Sequence, residues 1–337
     1  ARLEAEAEQA RQAKLEERLE IVRELEEDVG RSSLYEFFKL CWERVLEPTT
    51  PFEEEWHLKF VADHLEAMLR DWMASRAWRD AGGPASGMPE PIQRAINALV
   101  NICPRSGKST LLVCLTPWMW IHWPSWQCMN LSCNDSVLVR DAKRALQILQ
   151  SDWYRNTYQI EWVLSNDAQG QIENSARGVR AAQTLNSAIV RLGYHMLLVD
   201  DPMEPKQSVY AKYRDWIKNN WDTSYSRVHD PRIDLRVIVM QMVDADDLAN
   251  HVMKKQAQTW AQIRLPGYYE SAYDKTTFLG RRDERTEDRQ ILHARYTAQY
   301  LAAQLEDLGS YRFQCQYQQR GVRRDGAKIP RTWWRFY

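Results

Sequence analysis

The stretch ALVNICPRSGKST occupies residues 98–110 and joins a short apolar segment to a Gly-Lys-Ser-Thr tetrapeptide. The apolar residues predict a buried strand over Ala98–Cys103, and the sequence that follows predicts a helix from Ser109 to about Trp120. A tight loop between strand and helix presents backbone N–H groups, a lysine and a hydroxyl, which together can hold a phosphate and its Mg²⁺. We therefore predict a nucleotide phosphate loop. Its ATP-binding residues are Pro104, Arg105, Ser106, Gly107, Lys108, Ser109 and Thr110.

One position of this loop departs from the usual phosphate-loop pattern. That pattern has a glycine five residues before Gly107, and Ile102 stands there instead. A GKST tetrapeptide alone is a moderate signal, because it can begin a surface helix by chance. Its place after an apolar strand and before an apolar helix makes the interpretation considerably stronger.

A phosphate loop requires an acidic partner, and His195–Pro202 has the expected form. The apolar run HMLLV is followed by Asp200, Asp201 and a proline. We predict that Asp200 holds Mg²⁺ together with Ser109, and that Asp201 is catalytic because it orients or deprotonates the attacking water. The alternative for an Asp-Asp-Pro sequence is a simple turn at a strand end. The joint occurrence with GKST favours ATP hydrolysis.

A third apolar strand, Arg236–Gln241, ends in a polar residue and precedes the acidic segment DADDL. A polar side chain next to the acid-bearing strand can respond to the γ-phosphate, so Gln241 is a further candidate catalytic residue. Asp246 or Asp247 also has the position of a helix N-cap, and the two interpretations are compatible.

The wider pattern alternates short apolar strands with helices, which is typical of an α/β fold with a mainly parallel central sheet flanked by helices. Residues 1–30 predict one charged helix that ends at a Gly30 C-cap, and residues 31–90 predict a helical subdomain and a Gly/Pro-rich linker. The ATPase core is predicted over 91–265. Residues 266–337 form a lid or connector, with a helix at Thr297–Leu308.

Composition excludes several classes of protein. The chain is 44% hydrophobic and 27% charged with a net charge of −1, so it is neither a disordered tail nor a uniformly basic nucleic-acid binder. The six cysteines form no CxxC pair, which argues against a zinc ribbon or a disulfide scaffold. The longest uncharged apolar run, Thr110–Trp123, is too short to span a bilayer, so we expect no membrane association and a cytoplasmic location.

The ordered set of motifs resembles the large subunit of tailed-phage terminases, the motor that packages DNA. The resemblance covers roughly residues 50–337 and rests on CPRSGKS in the loop, Asp200-Asp201-Pro202, Asp246-Asp247-Leu248 and the QYQQ segment at 316–319. Family members with a PPRxGKS loop also lack the leading glycine. The position often occupied by Thr-Arg in the family's third motif is Gln241-Met242 here.

The resemblance implies a P-loop NTPase of the additional-strand (ASCE) type that uses ATP and Mg²⁺ to translocate double-stranded viral DNA, independently of sequence, into a procapsid. The implied partners are the portal protein, the procapsid, the small terminase subunit and other copies in a ring, with a monomer possible in free solution. The implied location is the host cytoplasm, with transient docking on the procapsid. The family continues into a nuclease domain, and this sequence stops just past the connector, so no nuclease site is assigned.

Ring motors of this kind receive an arginine from a neighbouring subunit, and Arg191 is the first candidate, with Arg177 and Arg180 as runners-up. Arg105 matches the family's loop arginine, although a surface ion pair is an alternative. Adenine is held in such proteins by the segment ahead of the loop, where Trp56 and His57 lie. For Trp56 the competing interpretation is a core position at helical spacing.

Two other kinds of protein remain as alternatives. One is another P-loop enzyme. A nucleotide kinase would leave the DDL and QYQQ segments unexplained, and another nucleic-acid-dependent ATPase such as a helicase would carry further Arg-rich motifs in a second sheet domain, for which too little chain remains. The other is an adaptor with an inactive loop. Nothing in residues 107–110 or 200–201 indicates decay of the site.

Overall fold

A computed structural model of the chain describes residues 2–168, 171–185 and 193–322. The amino-terminal part is helical and consists of α1 (Arg2–Ser32), α2 (Leu34–Cys41), a π-helical turn (Trp42–Leu46) and α3 (Trp56–Asp80). Ser33 separates the first two helices, because its extended backbone and its side chain, which accepts from Glu36 N, begin a new helix. The predicted linker contains an ordered 3-10 turn, Gly83–Ser86.

The predicted Gly30 C-cap is wrong, since α1 continues through Gly30 to Ser32. A Cβ at Gly30 would collide with the Tyr158 hydroxyl, so the glycine permits close packing and does not end the helix. Trp118 Nε1 donates to the Gly30 carbonyl oxygen (3.0 Å), and Arg31 Nη2 donates to that of Tyr158 (3.2 Å). The carboxyl-terminal end of α1 is therefore docked on the protein. Its apolar stripe remains exposed, at Leu15, Leu19, Val22, Leu25 and Val29.

A mixed eight-stranded sheet forms the centre of the fold. Its strands are β1 (Asn97–Ile102), β2 (Gln127–Ser132), β3 (Leu164–Ala168), β4 (Gln171–Asn174), β5 (Val179–Thr184), β6 (Met196–Asp200), β7 (Leu235–Met240) and β8 (Trp260–Leu265). They are arranged in the order β3-β4-β5-β2-β6-β7-β1-β8. All neighbours from β5 to β8 are parallel, and β4 is antiparallel to both β3 and β5. The predicted α/β class and mainly parallel sheet are confirmed.

The remaining helices are α4 (Lys108–Val113), α5 (Leu115–His122), α6 (Asp135–Gln150), α7 (Asp152–Thr157), α8 (Ala211–Ser224), α9 (Leu248–Gln256) and α10 (Ala298–Gln316). Of these, α4 to α9 lie between strands and α10 follows β8. The single helix predicted after the phosphate loop is divided in two at Cys114. The helix predicted at Thr297–Leu308 begins as expected and continues to Gln316, with a bend at Gly309, whose φ is +73°.

Apolar side chains cover both faces of the sheet. On one face, residues of α2 to α5 such as Phe37, Trp72 and Trp118 pack into a large cluster with alternate residues of β1 and β7. On the other face, Ile217 and Trp221 of α8 join Leu248 of α9. Two covered faces require strands that are apolar throughout, and every residue of β1 and β7 is buried. Among the described residues, no helix combines the length and the apolar character needed to cross a membrane.

Candidate functional site

The strand order brings the predicted motifs to one edge of the sheet. β7 lies between β1 and β6, so an additional strand separates the phosphate-loop strand from the acid-bearing strand. The three strands are parallel, and their carboxyl ends carry the loop 103–107, Asp200-Asp201 and Gln241. The carboxyl edge of an open parallel sheet is where such folds bind ligands.

The backbone of the phosphate loop requires a glycine at residue 107. Gly107 has φ +83° and starts α4, whose Thr110 and Leu111 N–H groups donate to the Gly107 carbonyl oxygen at 3.1 and 3.2 Å. A Cβ on Gly107 would lie 3.2 Å from Leu58 Cδ1, which is tighter than ordinary contact. Both the left-handed backbone and the close approach of α3 therefore exclude a larger residue without strain.

Lys108 and Asp201 form an ion pair at the centre of the site. Lys108 Nζ lies 2.6 Å from Asp201 Oδ2, and only 6% of the lysine is exposed. Burial alone would lower the pKa of Lys108, but the carboxylates of Asp201 and Asp200 outweigh it and raise the pKa above its usual value. Lys108 is therefore a buried cation that faces two acids.

Asp200 and Ser109 meet beside this pair. Burial, and then the charge of Asp201, raise the pKa of Asp200 to about 7, while Lys108 and a hydrogen bond with Ser109 lower it. Asp200 Oδ1 is buried and has no hydrogen-bond partner within the residues that the structure describes. A hydroxyl and an unpaired carboxylate oxygen are the oxygen ligands that Mg²⁺ prefers, so these residues fit the predicted metal.

The described residues contain no group of three or more His, Cys, Asp or Glu side chains placed to hold a metal ion. A Mg²⁺ bound by Ser109 and Asp200 would therefore take its remaining ligands from phosphate oxygens and water. That donor set is typical of Mg²⁺ in nucleotide sites.

Gln241 follows β7, the strand beside β6, and lies next to Asp201. Its backbone N–H donates to Asp201 Oδ1 (3.3 Å), and its side-chain Oε1 is buried with no hydrogen-bond partner in the described part of the chain. The acidic segment beyond it is structural at one position. Asp247 is the N-cap of α9 and accepts from Asn250 N and Val243 N, both at 2.9 Å, which confirms the capping prediction for that residue.

The other loop residues occupy different environments. Among the described residues the buried Ser106 hydroxyl has no hydrogen-bond partner, and the Pro104 carbonyl oxygen accepts from the Tyr296 hydroxyl. Arg105 has φ +58° and is exposed, and no ion pair with another described residue holds it. The surface ion pair considered as an alternative for Arg105 is thus not formed within the described part of the chain.

Trp56 and His57 lie at the start of α3, directly beneath the loop. His57 is 1% exposed and its Nε2 donates to the Ser106 carbonyl oxygen (2.9 Å). Burial lowers its pKa to about 4, so the ring is neutral. Trp56 Nε1 donates to the Leu292 carbonyl oxygen (3.0 Å). An adenine contact by His57 would require the loop to move, because the loop itself covers the ring.

The three candidate arginines differ in what the structure describes. Arg191 lies outside the described residues. Arg180 is 3% exposed in β5, and its Nη1 is buried with no hydrogen-bond partner among the described residues, so a neighbouring subunit could not reach it in this conformation. Arg180 lines a small, largely apolar cavity together with Ser109 and Asp200, so it lies beside the site of its own subunit. Arg177 lies just before β5, at the opposite end of the strand from the phosphate loop.

Sequence reasoning missed the segment 292–296 as part of the site. His293 stacks on His57 with ring centroids 4.9 Å apart and makes a tilted contact with Tyr296 at 4.0 Å, and its two ring nitrogens are buried with no hydrogen-bond partner among the described residues. These residues are more than 180 positions from the phosphate loop. No local sequence pattern predicts the contact between His293 and His57, although an aromatic-rich stretch beyond a core domain is a weak signal.

Comparisons with known proteins give a likeness at the level of the fold. No family model matches the chain, and no curated protein sequence matches it. It is similar to the large terminase of bacteriophage HK97 at 12% identity and a TM-score of 0.44, over 68% of this chain and 43% of that one. It is also similar to a variant of the Thermus phage P74-26 large terminase ATPase domain, at 8% identity and a TM-score of 0.41, over 68% and 90% of the two chains.

The chain therefore spans less than half the length of the HK97 protein. The unaltered P74-26 ATPase domain gives 7% identity and a TM-score of 0.38. The identities and TM-scores are low, so the roles of the site residues rest on the geometry of Lys108, Asp200 and Asp201 in this chain. These three solved structures are of large terminases of phages or their ATPase domains, and the similarity is one of fold.

Proposed function

We propose that this chain is an ATP-hydrolysing motor that translocates double-stranded viral DNA into a procapsid. The observation that carries the proposal is the meeting of Lys108, Asp201 and Gln241 at the carboxyl ends of β1, β6 and β7. A lysine, two adjacent acids and a polar residue on an intervening strand are the parts that phosphoryl transfer to water requires.

The role of each residue follows from its chemistry. Lys108 and the N–H groups of residues 105–109 hold the β- and γ-phosphates, and the Asp201 carboxylate accepts a proton from the attacking water or orients it. Ser109 and Asp200 would hold Mg²⁺, which when bound would neutralise charge on the phosphate oxygens. The Gln241 side chain responds to the presence or loss of the γ-phosphate. Arg191 of a neighbouring copy stabilises the transition state.

The DNA-packaging part of the proposal rests on the motif set CPRSGKS, DDP, DDL and QYQQ. Under this proposal, copies of the chain form a ring on the portal of a procapsid, in the cytoplasm of the infected cell. The small terminase subunit is a further partner. The duplex would be gripped without regard to sequence, since a motor has to release each contact it makes.

The test is steady-state hydrolysis of ATP with Mg²⁺, with and without linear duplex DNA. We expect hydrolysis that duplex DNA stimulates, and its loss in Lys108→Ala and Asp201→Asn. If the isolated chain is inactive, the assay is repeated on procapsids that carry the portal, where the ring can supply Arg191. Inactivity there as well, or hydrolysis that survives Lys108→Ala, would exclude the proposed motor.

A further inference from the structure

Gln319, at the end of the QYQQ segment, has an unusual backbone and environment. It is 1% exposed and its φ is +51°. The described residues include six non-glycine residues with positive φ, and two of the others are Arg105 and Asp201, in the phosphate loop and the catalytic pair. Strained backbone persists where the surrounding structure enforces it, and it is often associated with function.

The Gln319 side chain contacts both halves of the nucleotide site. Its Oε1 accepts from Met242 N (3.0 Å), the residue after Gln241, and its Nε2 lies 3.8 Å from the sulfur of Cys103, the residue before the loop. Cys103 Sγ in turn donates to the Tyr317 carbonyl oxygen at 3.1 Å. One buried amide thus joins the base of the phosphate loop to the segment that follows β7.

A continuous series of contacts leads from this amide to the reacting centre. Gln241 N donates to Asp201 Oδ1 at 3.3 Å, and Asp201 Oδ2 pairs with Lys108 at 2.6 Å. Gln241 and Met242 are consecutive, so one peptide unit connects the Asp201 contact with the Gln319 contact. When a phosphate draws Lys108 away from Asp201, the carboxylate gains freedom to turn and the adjacent backbone has to respond.

We propose that Gln319 is a positioning residue that transmits the state of the Lys108–Asp201 pair to the segment following α10. The inference rests on the proposed hydrolysis of ATP and adds the route by which the site reaches the connector. The contact between Gln319 Oε1 and Met242 N also acts from the connector toward the site. It fixes the Met242 amide and so keeps Gln241 N in contact with Asp201.

The neighbouring Gln318 provides a matched control. It is 4% exposed, its Oε1 accepts from Tyr268 N (2.9 Å), and its Nε2 donates to the Tyr268 carbonyl oxygen (3.3 Å). It therefore makes buried amide contacts of similar quality that involve neither Cys103 nor Met242. A purely structural role for buried glutamines in this segment would make the two residues equivalent.

The experiment compares wild type, Gln319→Met and Gln318→Met in amide hydrogen exchange, with and without Mg-ADP, and in steady-state ATP hydrolysis. In wild type and Gln318→Met, the nucleotide should alter exchange at 103–110, 241–247 and 311–322. In Gln319→Met the change at 311–322 should be lost, and kcat should fall about tenfold with the KM for ATP little changed.

Three results would overturn the inference. One is wild-type amide exchange at 241–247 and 311–322 that is the same with and without Mg-ADP, a result that needs no variant. Another is a Gln319→Met chain that responds like wild type, and the third is equal loss in both variants. A wild-type chain that transmits as described but hydrolyses no ATP, either free or on procapsids that carry the portal, would keep the inference and overturn the proposed function. Absence of nucleotide protection at 103–110 would overturn both.

Discussion

Lys108 Nζ and Asp201 Oδ2 lie 2.6 Å apart, so the lysine expected to hold phosphate is paired with the acid expected to act on water. The pair is partly shielded, with 7% of the lysine side chain and 33% of the aspartate side chain exposed. A phosphate that engages Lys108 has to compete with Asp201 for it. Binding of nucleotide would therefore release the carboxylate at the moment when it is needed for hydrolysis.

This competition predicts opposite effects of Asp201→Asn on binding and on hydrolysis. Loss of the carboxylate removes the competitor for Lys108, so the Kd for Mg-ATP should fall several-fold. Loss of the base should reduce kcat by about 100-fold or more. Titration with a fluorescent ATP analogue and steady-state hydrolysis measure the two effects. Lys108→Ala serves as the control, since it should weaken binding itself, and an Asp201→Asn chain with wild-type kcat would contradict the assignment.

The sequence predicted the parts of this site that depend on local pattern. The loop 104–110, the Asp200-Asp201 pair and Gln241 each follow an apolar strand, and parallel strands bring such ends together. β3, β4, β5 and β8 were not predicted, because LSNDA, QIEN, VRAAQT and WAQIRL lack a continuous apolar run. The approach of His293, Tyr296 and Gln319 to the loop depends on tertiary packing, and no spacing in one sequence encodes it.

Gly107→Ala should disrupt nucleotide binding, and Gly280→Ala is its matched control. Both glycines have positive φ, +83° and +72°, so either substitution costs about 1–2 kcal/mol of backbone strain. A Cβ at Gly280 meets nothing within 4 Å. A Cβ at Gly107, in the phosphate loop, would lie 3.2 Å from Leu58 Cδ1 of α3. We expect similar losses of thermal stability but loss of Mg-ATP binding only in Gly107→Ala. Equal binding by the two variants would contradict this role of the loop.

Buried histidine makes the stability of the fold depend on pH. Burial, and then the charges of His229 and Arg76, lower the pKa of His195 to about 3, and its Nδ1 accepts from Gln127 N at 3.0 Å. The unfolded chain binds a proton at His195 near pH 6.5 and the folded chain does not. Its contribution to stability is therefore complete above pH 6.5 and is lost progressively as the pH falls toward 3.

His195→Gln should remove this dependence while keeping an acceptor for Gln127 N. The free energy of unfolding of the variant minus that of wild type should increase as the pH falls. Relative to its value at pH 7.5, this difference should rise by about 1.4 kcal/mol per pH unit below 6.5. Urea denaturation at pH 7.5, 6.5 and 5.5 measures it, and all other titrating groups cancel in the difference. A difference that stays constant across these pH values would show that His195 does not titrate as described.

Gly30→Ala tests how α1 is attached to the rest of the protein. In an isolated helix the change would stabilise by about 1 kcal/mol, because glycine is a poor helix former. Here the new methyl group would collide with the Tyr158 hydroxyl, and overpacking of this kind costs about 1–3 kcal/mol, so we expect a net loss of stability. Tyr158→Phe removes the obstructing oxygen, whose hydrogen bond to the Glu26 carbonyl oxygen is long at 3.5 Å. The double variant should therefore be more stable than the sum of the two single changes implies, as measured by thermal unfolding. Strict additivity would mean that Gly30 and Tyr158 do not touch, and that α1 is held by its other contacts, such as those of Arg31, Trp118 and Trp153.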